Sequence, residues 1–244
     1  MQLIIDVGNT LTKYFLIENN VLKNEASIST DFLNQMKLFL GNIAPQNVFI
    51  SSTGNIDEEL NNFLKKNYRT IEFTHQTLLP INNHYRTPNT LGRDRLAAVV
   101  GALELYPNIA SLVIDAGTCI TYDAIDAGGN YYGGSISPGL MMRSKAMHHF
   151  TAKLPEVELV QIEENIGCDT STSLLTGVIL GASYEIEGFI KQYLLKYKTL
   201  NVILTGGNAS FLSKYINYPI IVNQKITLWG LNKILNYNVD KQNI

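Results

Sequence analysis

Twice in this sequence an apolar strand-like run ends in an Asp-x-Gly turn, and a second strand-like run begins beyond it. The first copy is Leu3-Ile4-Ile5-Asp6-Val7-Gly8-Asn9-Thr10, followed by Lys13 and Tyr14-Phe15-Leu16-Ile17. The second is Leu112-Val113-Ile114-Asp115-Ala116-Gly117-Thr118, followed by Ile120-Thr121-Tyr122-Asp123. The copies lie a little under half the chain apart. Each runs on to a polar turn, Asn19-Asn20 and Gly128-Gly129, where another strand-like run starts. A repeat of this kind predicts two similar lobes, each offering a tight hairpin turn to a ligand they share.

The residues of the turn suit a phosphate. Gly8 and Gly117 carry no side chain, so an anion can approach backbone N–H groups closely. Asp6 and Asp115 end apolar strands, where a carboxylate is costly unless it holds a cation or a hydrogen-bond network. Asn9, Thr10 and Thr118 add neutral donors, and Lys13 adds a positive charge. Magnesium bound to nucleotide phosphates takes one or two carboxylates and keeps its waters, which this pattern could supply. Asp-Gly and Asn-Thr pairs are also ordinary hairpin residues. Two copies in one strand context favour the ligand-handling reading.

Hydrophobic residues make up 45% of the 244 and charged residues 16%, enough for a core and without a sign of extended disorder. The net charge of −2 gives no basic footprint, so nucleic-acid binding is not expected. Cys119 and Cys168 have neither metal-ligand spacing nor the density of a disulfide framework. No Walker-type Gly-Lys-Ser/Thr, Rossmann Gly-x-Gly-x-x-Gly or Gly-x-Ser-x-Gly occurs. The four histidines show no ligand spacing. No basic leader opens the chain, and no uncharged apolar run approaches a membrane span, so a cytoplasmic protein without membrane attachment is expected.

The pattern predicts a lobe over 1–108 and a second over 109–244. In the first, strands fall near 2–7, 12–18 and 21–28. A helix capped at Thr30-Asp31 follows, then a strand at 48–51, a helix at 57–67 and a strand at 71–73. Residues 76–93 form a polar segment too long for an idle connection. It leads to Gly92-Arg93-Asp94-Arg95 at the start of a helix, where free N–H groups and arginines favour an anion and Asp94 could accept a hydroxyl proton. A cap with a salt bridge would look the same. In the second lobe, three strands precede a helix from about Pro138. A long helix follows over about 170–197, with Gly177, Gly181, Ala182 and Gly188 near its apolar side, and then a strand ending in Thr205-Gly206-Gly207. A last helix near 225–237 is expected to close this lobe.

Taken together, these motifs resemble the type III pantothenate kinases of the acetate and sugar kinase, heat-shock chaperone and actin superfamily. The resemblance rests on Asp6-Val7-Gly8-Asn9-Thr10-x-x-Lys13, Tyr85-x-x-Pro88-x-x-Leu91-Gly92-x-Asp94-Arg95, Asp115-Ala116-Gly117-Thr118, Gly133-Gly134-x-Ile136-x-Pro138-Gly139-Leu140 and Thr205-Gly206-Gly207, in that order. It implies an α/β fold of two ribonuclease H-like, actin-like ATPase lobes with a nucleotide cleft between them. The implied activity is ATP-dependent phosphorylation of pantothenate, the first step of coenzyme A synthesis.

The resemblance also implies roles. Asp6 would hold Mg²⁺, and Val7, Gly8, Asn9, Thr10, Lys13, Thr118, Gly206 and Gly207 would line ATP and its phosphates. Asp94 would be the general base. Tyr85, Gly92, Arg93, Asp94 and Arg95 would contact pantothenate, as would Thr170, supplied from the partner side of a homodimer. Asp115 would bind a monovalent cation, K⁺ or NH₄⁺. The chain departs from the family pattern at Asp169, where Asn is usual, at Ser51-Ser52-Thr53-Gly54-Asn55, which is less apolar, and at Cys119. The rival readings are a kinase of another small alcohol on the same fold and a regulatory relative that has lost catalysis; intact Asp6, Lys13, Asp94 and Asp115 weigh against the latter.

Overall fold

The structure, a computed structural model, describes residues 1–8, 11–52, 54 and 56–242. Its contacts divide the chain into two units, Met1–Glu104 with Thr227–Ile244, and Leu105–Ile226.

In the first unit, β1 (Gln2–Val7), β2 (Thr12–Glu18) and β3 (Val21–Ile28) form an antiparallel meander. The turn between β2 and β3 is Asn19-Asn20, both at positive φ, a conformation that asparagine tolerates better than most residues. After α1 (Phe32–Leu40) the chain returns as β4 (Asn47–Ser52), parallel to β1. After α2 (Glu58–Asn67) it returns again as β5 (Arg69–Glu72), giving the order β3-β2-β1-β4-β5. Leu3, Ile5 and Val7 pack on one face with Met36, Leu40, Leu60 and Leu64 of the two helices. Ile4 is buried as well, as a central strand covered on both sides requires. Beyond β5 come the short strand β6 (Asn82–Asn83), a 3₁₀ turn at Pro88–Thr90 and α3 (Arg93–Leu105).

The second unit repeats the plan. Its meander is β7 (Ala110–Ala116), β8 (Cys119–Ile125) and β9 (Asn130–Pro138). Then come α4 (Leu140–Phe150), α5 (Thr170–Lys196), β10 (Leu200–Thr205), α6 (Ala209–Leu212) and β11 (Ile221–Val222). β10 lies parallel to β7, and β11 parallel to β10. Read as β9-β8-β7-β10-β11, the strand order matches that of the first unit. The tandem repeat seen in the sequence is therefore a repeat of topology.

Two local expectations differ from the structure. Asp31 sits at the head of α1 but at φ 53°, with no capping bond to the helix; its carboxylate accepts from the Asn34 side chain instead. α5 is, among the described residues, a helix long and apolar enough to cross a membrane by length and composition. Yet Val178, Ala182, Ile186 and Ile190 lie in the core of the second unit, as a core helix requires. The last helix, α7 (Ile226–Gln242), packs in the first unit and not the second. Asn20 accepts from Asn232 and Asn236, Gln2 donates to Asn236, and Asn238 exchanges hydrogen bonds with the Leu78 backbone. A side chain at Gly230 would collide with the Ala97 carbonyl, so a glycine there lets α7 lie directly on α3.

Candidate active site

In the first unit the β1–β2 register sets Asp6 directly opposite Lys13. The Gly8 N–H donates to the Leu11 carbonyl at 3.0 Å and closes the turn. Asn9 and Thr10, expected to line phosphate, lie outside the described residues. Burial pushes the Asp6 carboxyl up to about 6; the Lys13 ammonium pulls it down and the Asp94 carboxylate pushes it up further. Desolvation outweighs the adjacent lysine. Beside it on β4 is Ser51, whose buried hydroxyl has no partner among the described residues. Val7 and Gly8 line a cavity of about 260 Å³ with Leu11, Thr12 and Asp57.

The influence of Asp94 on Asp6 brings two expected site residues together from separate elements. Asp94 stands in the first turn of α3, with its carboxylate folded back to accept the Arg95 N–H at 2.9 Å. A side chain at Gly92 would fall 2.5 Å from the same carboxylate oxygen, so glycine leaves room for this rotamer. Arg95 is buried, and its guanidinium lies 5.9 Å from the centre of the Tyr85 ring, a cation–π arrangement. Arg93 donates to the Ser52 carbonyl, while its Nε has no partner among the described residues.

In the second unit, Asp115 faces Thr121 across the β7–β8 ladder and has Thr205 of β10 on its other side. The Gly117 N–H donates to the Cys119 carbonyl at 2.9 Å, which leaves Thr118 exposed at the tip. Gly206 has φ +90°, and a Cβ there would lie 2.3 Å from an Asp115 carboxylate oxygen and 2.7 Å from the Ala116 carbonyl. Gly207 has open space where a side chain would be. Asn208 ties this loop to the turn, its N–H donating to the Ala116 carbonyl at 2.9 Å and its side chain to the Gly117 carbonyl at 3.4 Å.

Thr170, exposed at the first turn of α5, lines a cavity of about 500 Å³ with Met147, Leu154, Cys168 and Ser173. Asp169 before it is the helix cap. Its carboxylate accepts from the Thr172 N–H at 2.8 Å while the Thr172 hydroxyl accepts from the Asp169 N–H, and these bonds hold Asp169 below the usual carboxylate range.

The sequence profile of the type III pantothenate kinases matches residues 2–192. A type III pantothenate kinase of Christiangramia forsetii is 42% identical over 243 residues, covering 98% of this chain and 99% of that protein. The chain belongs to the type III pantothenate kinase family. Among solved structures, a Campylobacter jejuni protein named as a Baf family transcriptional activator matches with a TM-score of 0.59 at 26% identity, covering 98% of this chain and 99% of that one. A glucokinase from an Antarctic psychrotroph matches with a TM-score of 0.53 at 12% identity, over 97% and 98% of the two chains, a likeness of fold alone. The actin-like, sugar-kinase α/β fold expected of the family is thus the fold observed.

Among the described residues no three His, Cys, Asp or Glu side chains form a cluster that could cage a metal. Mg²⁺ carried on nucleotide phosphates needs only one or two carboxylates. The raised Asp6 carboxyl beside the orphaned Ser51 hydroxyl fits such an ion. In this pantothenate kinase family member, sequence reasoning missed Asn208, and it missed a polar cluster on Glu185 built from Tyr122, Ser137 and Arg143. Asn208 directly follows the Thr-Gly-Gly motif and could have been read with it. The Glu185 cluster draws on four separate stretches of chain, and no spacing rule signals it.

Proposed function

We propose that this chain transfers the γ-phosphoryl group of ATP to the primary hydroxyl of pantothenate, giving 4′-phosphopantothenate, the first step of coenzyme A biosynthesis. Family membership over nearly the full length supports the reaction. The observation that carries the residue-level reading is the nearness of Asp94 to Asp6, which joins a proton acceptor and a magnesium-ligand candidate beside a glycine turn.

In this reading Asp94 accepts the hydroxyl proton as the oxygen attacks, and its bond from the Arg95 N–H holds the carboxylate in place. Arg95, in cation–π range of Tyr85, places positive charge near the transferring group, and Lys13 meets a phosphate oxygen. Gly92 and Arg93 complete the pantothenate contacts. Asp6 holds Mg²⁺, which when bound neutralises the phosphate oxygens. The first turn, Val7 to Thr10, takes the phosphate chain. Thr118, Gly206 and Gly207 contact ATP, and Asp115 binds K⁺ or NH₄⁺. Thr170 reaches pantothenate from the partner in a homodimer, and the enzyme acts in the cytoplasm.

The test is ADP release with Mg-ATP, with and without pantothenate, in potassium and then in sodium buffer. Pantothenate-dependent turnover that is faster in potassium is expected. Pantothenate-independent hydrolysis would replace the acceptor, and silence from folded protein would overturn the kinase reading.

A further inference from the structure

The second turn is braced from behind. Glu185, midway along α5, collects three donors: the Tyr122 hydroxyl at 2.7 Å, the Ser137 hydroxyl at 2.5 Å and the Arg143 guanidinium at 2.5 Å. Arg143 turns its Nε to the Pro138 carbonyl at 2.8 Å. The next residue, Gly139, donates its N–H to the Thr118 carbonyl at 3.1 Å, and the Arg143 N–H returns to the Gly139 carbonyl at 3.0 Å. An unbroken series of bonds therefore runs from Glu185 through Arg143 and Pro138-Gly139 to the tip of the Gly117-Thr118 turn. Tyr122 is fixed in turn by Phe189, whose ring stacks on it at 4.0 Å, one helical turn beyond Glu185.

Stability alone is a poor account of this cluster. The Arg143 and Glu185 side chains keep 20% and 27% of their surface exposed, and ion pairs in such places add little to folding free energy. What converging charge-assisted bonds supply is geometry. Partial burial alone would raise the Glu185 carboxyl, but the donors from Arg143, Ser137 and Tyr122 outweigh it and hold the group below its ordinary range.

We propose that Glu185 is a positioning residue for the nucleotide: through Arg143 and Pro138-Gly139 it fixes the Gly117-Thr118 turn in the conformation that receives ATP. The inference rests on the reading of that turn as an ATP contact. Glu185→Gln keeps the side chain's size and removes its charge. Arg143→Lys keeps the charge and removes the Nε bond to Pro138.

Titrating the full-length protein with Mg-ATP, and separately with pantothenate, reads the two ligands apart from turnover. Each variant is expected to weaken ATP about five- to tenfold and to leave pantothenate within about twofold, since a lost charge-assisted bond has roughly that worth. The double variant should do little more than either single, because both cut one series of bonds. Unchanged ATP binding in folded Arg143→Lys would overturn the proposal even if Glu185→Gln failed to fold. Equal weakening of both ligands would also overturn it, leaving the cluster a structural one. Wild-type protein that binds ATP but shows no pantothenate-dependent ADP release would sink the kinase reading and leave this one to the titrations. Wild-type protein that does not bind ATP would sink the proposal directly.

Discussion

Across the first hairpin the residue facing the turn aspartate is Lys13; across the second it is Thr121. The strand plans are the same, and so is the third neighbour, a hydroxyl residue at the end of the adjoining parallel strand: Ser51 beside Asp6, Thr205 beside Asp115. The loops differ. The first is closed by a Gly8–Leu11 bond around a four-residue turn, the second by a Gly117–Cys119 bond around a shorter one. One fold unit thus carries two chemistries. A carboxylate with an ammonium opposite it sits beside the longer turn, and a carboxylate facing a neutral hydroxyl sits beside the shorter one. In the proposed reading the first holds a divalent ion shared with phosphates and the second a monovalent cation.

The largest test of this asymmetry is Asp94, whose charge reaches Asp6. Asp94→Asn should lower kcat about 10²–10⁴-fold while barely changing ATP binding, the usual contribution of a general base. Near-normal turnover by steady-state kinetics would remove Asp94 from that role.

Asp6 itself should show a conflict between function and stability. Its native pKa of about 6 lies above the ordinary aspartate value of 3.8. Between those values the native state holds more protons than the unfolded one, so wild-type stability falls as pH rises through the window. The cost, of order 1–3 kcal/mol, is complete above about pH 6. Asp6→Asn avoids it. Without ligands the variant should therefore melt higher than wild type at about pH 7.5, and the difference should vanish near pH 4, although the variant loses activity. A variant that melts lower at both pH values would show that Asp6 is stabilised by its neighbours and not strained by burial.

The loops beside the two aspartates should also answer differently to one added methyl group. At Gly206 it meets the Asp115 carboxylate at 2.3 Å on a backbone at φ +90°; at Gly8 it meets only the Leu11 carbonyl, at 3.1 Å. Gly206→Ala should cost about 1–3 kcal/mol in chemical denaturation, as strained left-handed backbone does, and Gly8→Ala less than about 1 kcal/mol. The reverse order would mean that the Gly206 loop gives way to the added methyl more easily than the first turn does.

Much of this was legible because the repeat is local. Each hairpin packs its apolar strands, glycine and aspartate into about a dozen residues, and period-two burial with turn residues reads directly as β1–β2 and β7–β8. The α3 start was legible too, since Gly92 and Asp94 act on each other at short range. What was not legible is held by contacts between distant positions. α7 follows the second unit in sequence but is fastened to the first by amides pairing Asn20 with Asn232 and Gln2 with Asn236, and side-chain amides carry no periodic signal. The Asp31 cap failed for a different reason. Asp31 adopts the left-handed region, where its carboxylate serves Asn34 and not the helix N–H groups that cap preferences assume.

The smallest and most specific test exchanges the feature that separates the two turns. Thr121 is half-buried and directly opposite Asp115 on β8, so its side chain stands on the same face of the sheet as the carboxylate. Thr121→Lys gives the second turn the partner that the first already has. If Asp115 binds a monovalent cation, a lysine ammonium placed opposite it should compete for that place, and ADP release should become equal in potassium and sodium while pantothenate is still phosphorylated. Potassium stimulation that survives the substitution would show that the cation is held elsewhere, and the difference between Lys13 and Thr121 would then belong to the phosphates alone.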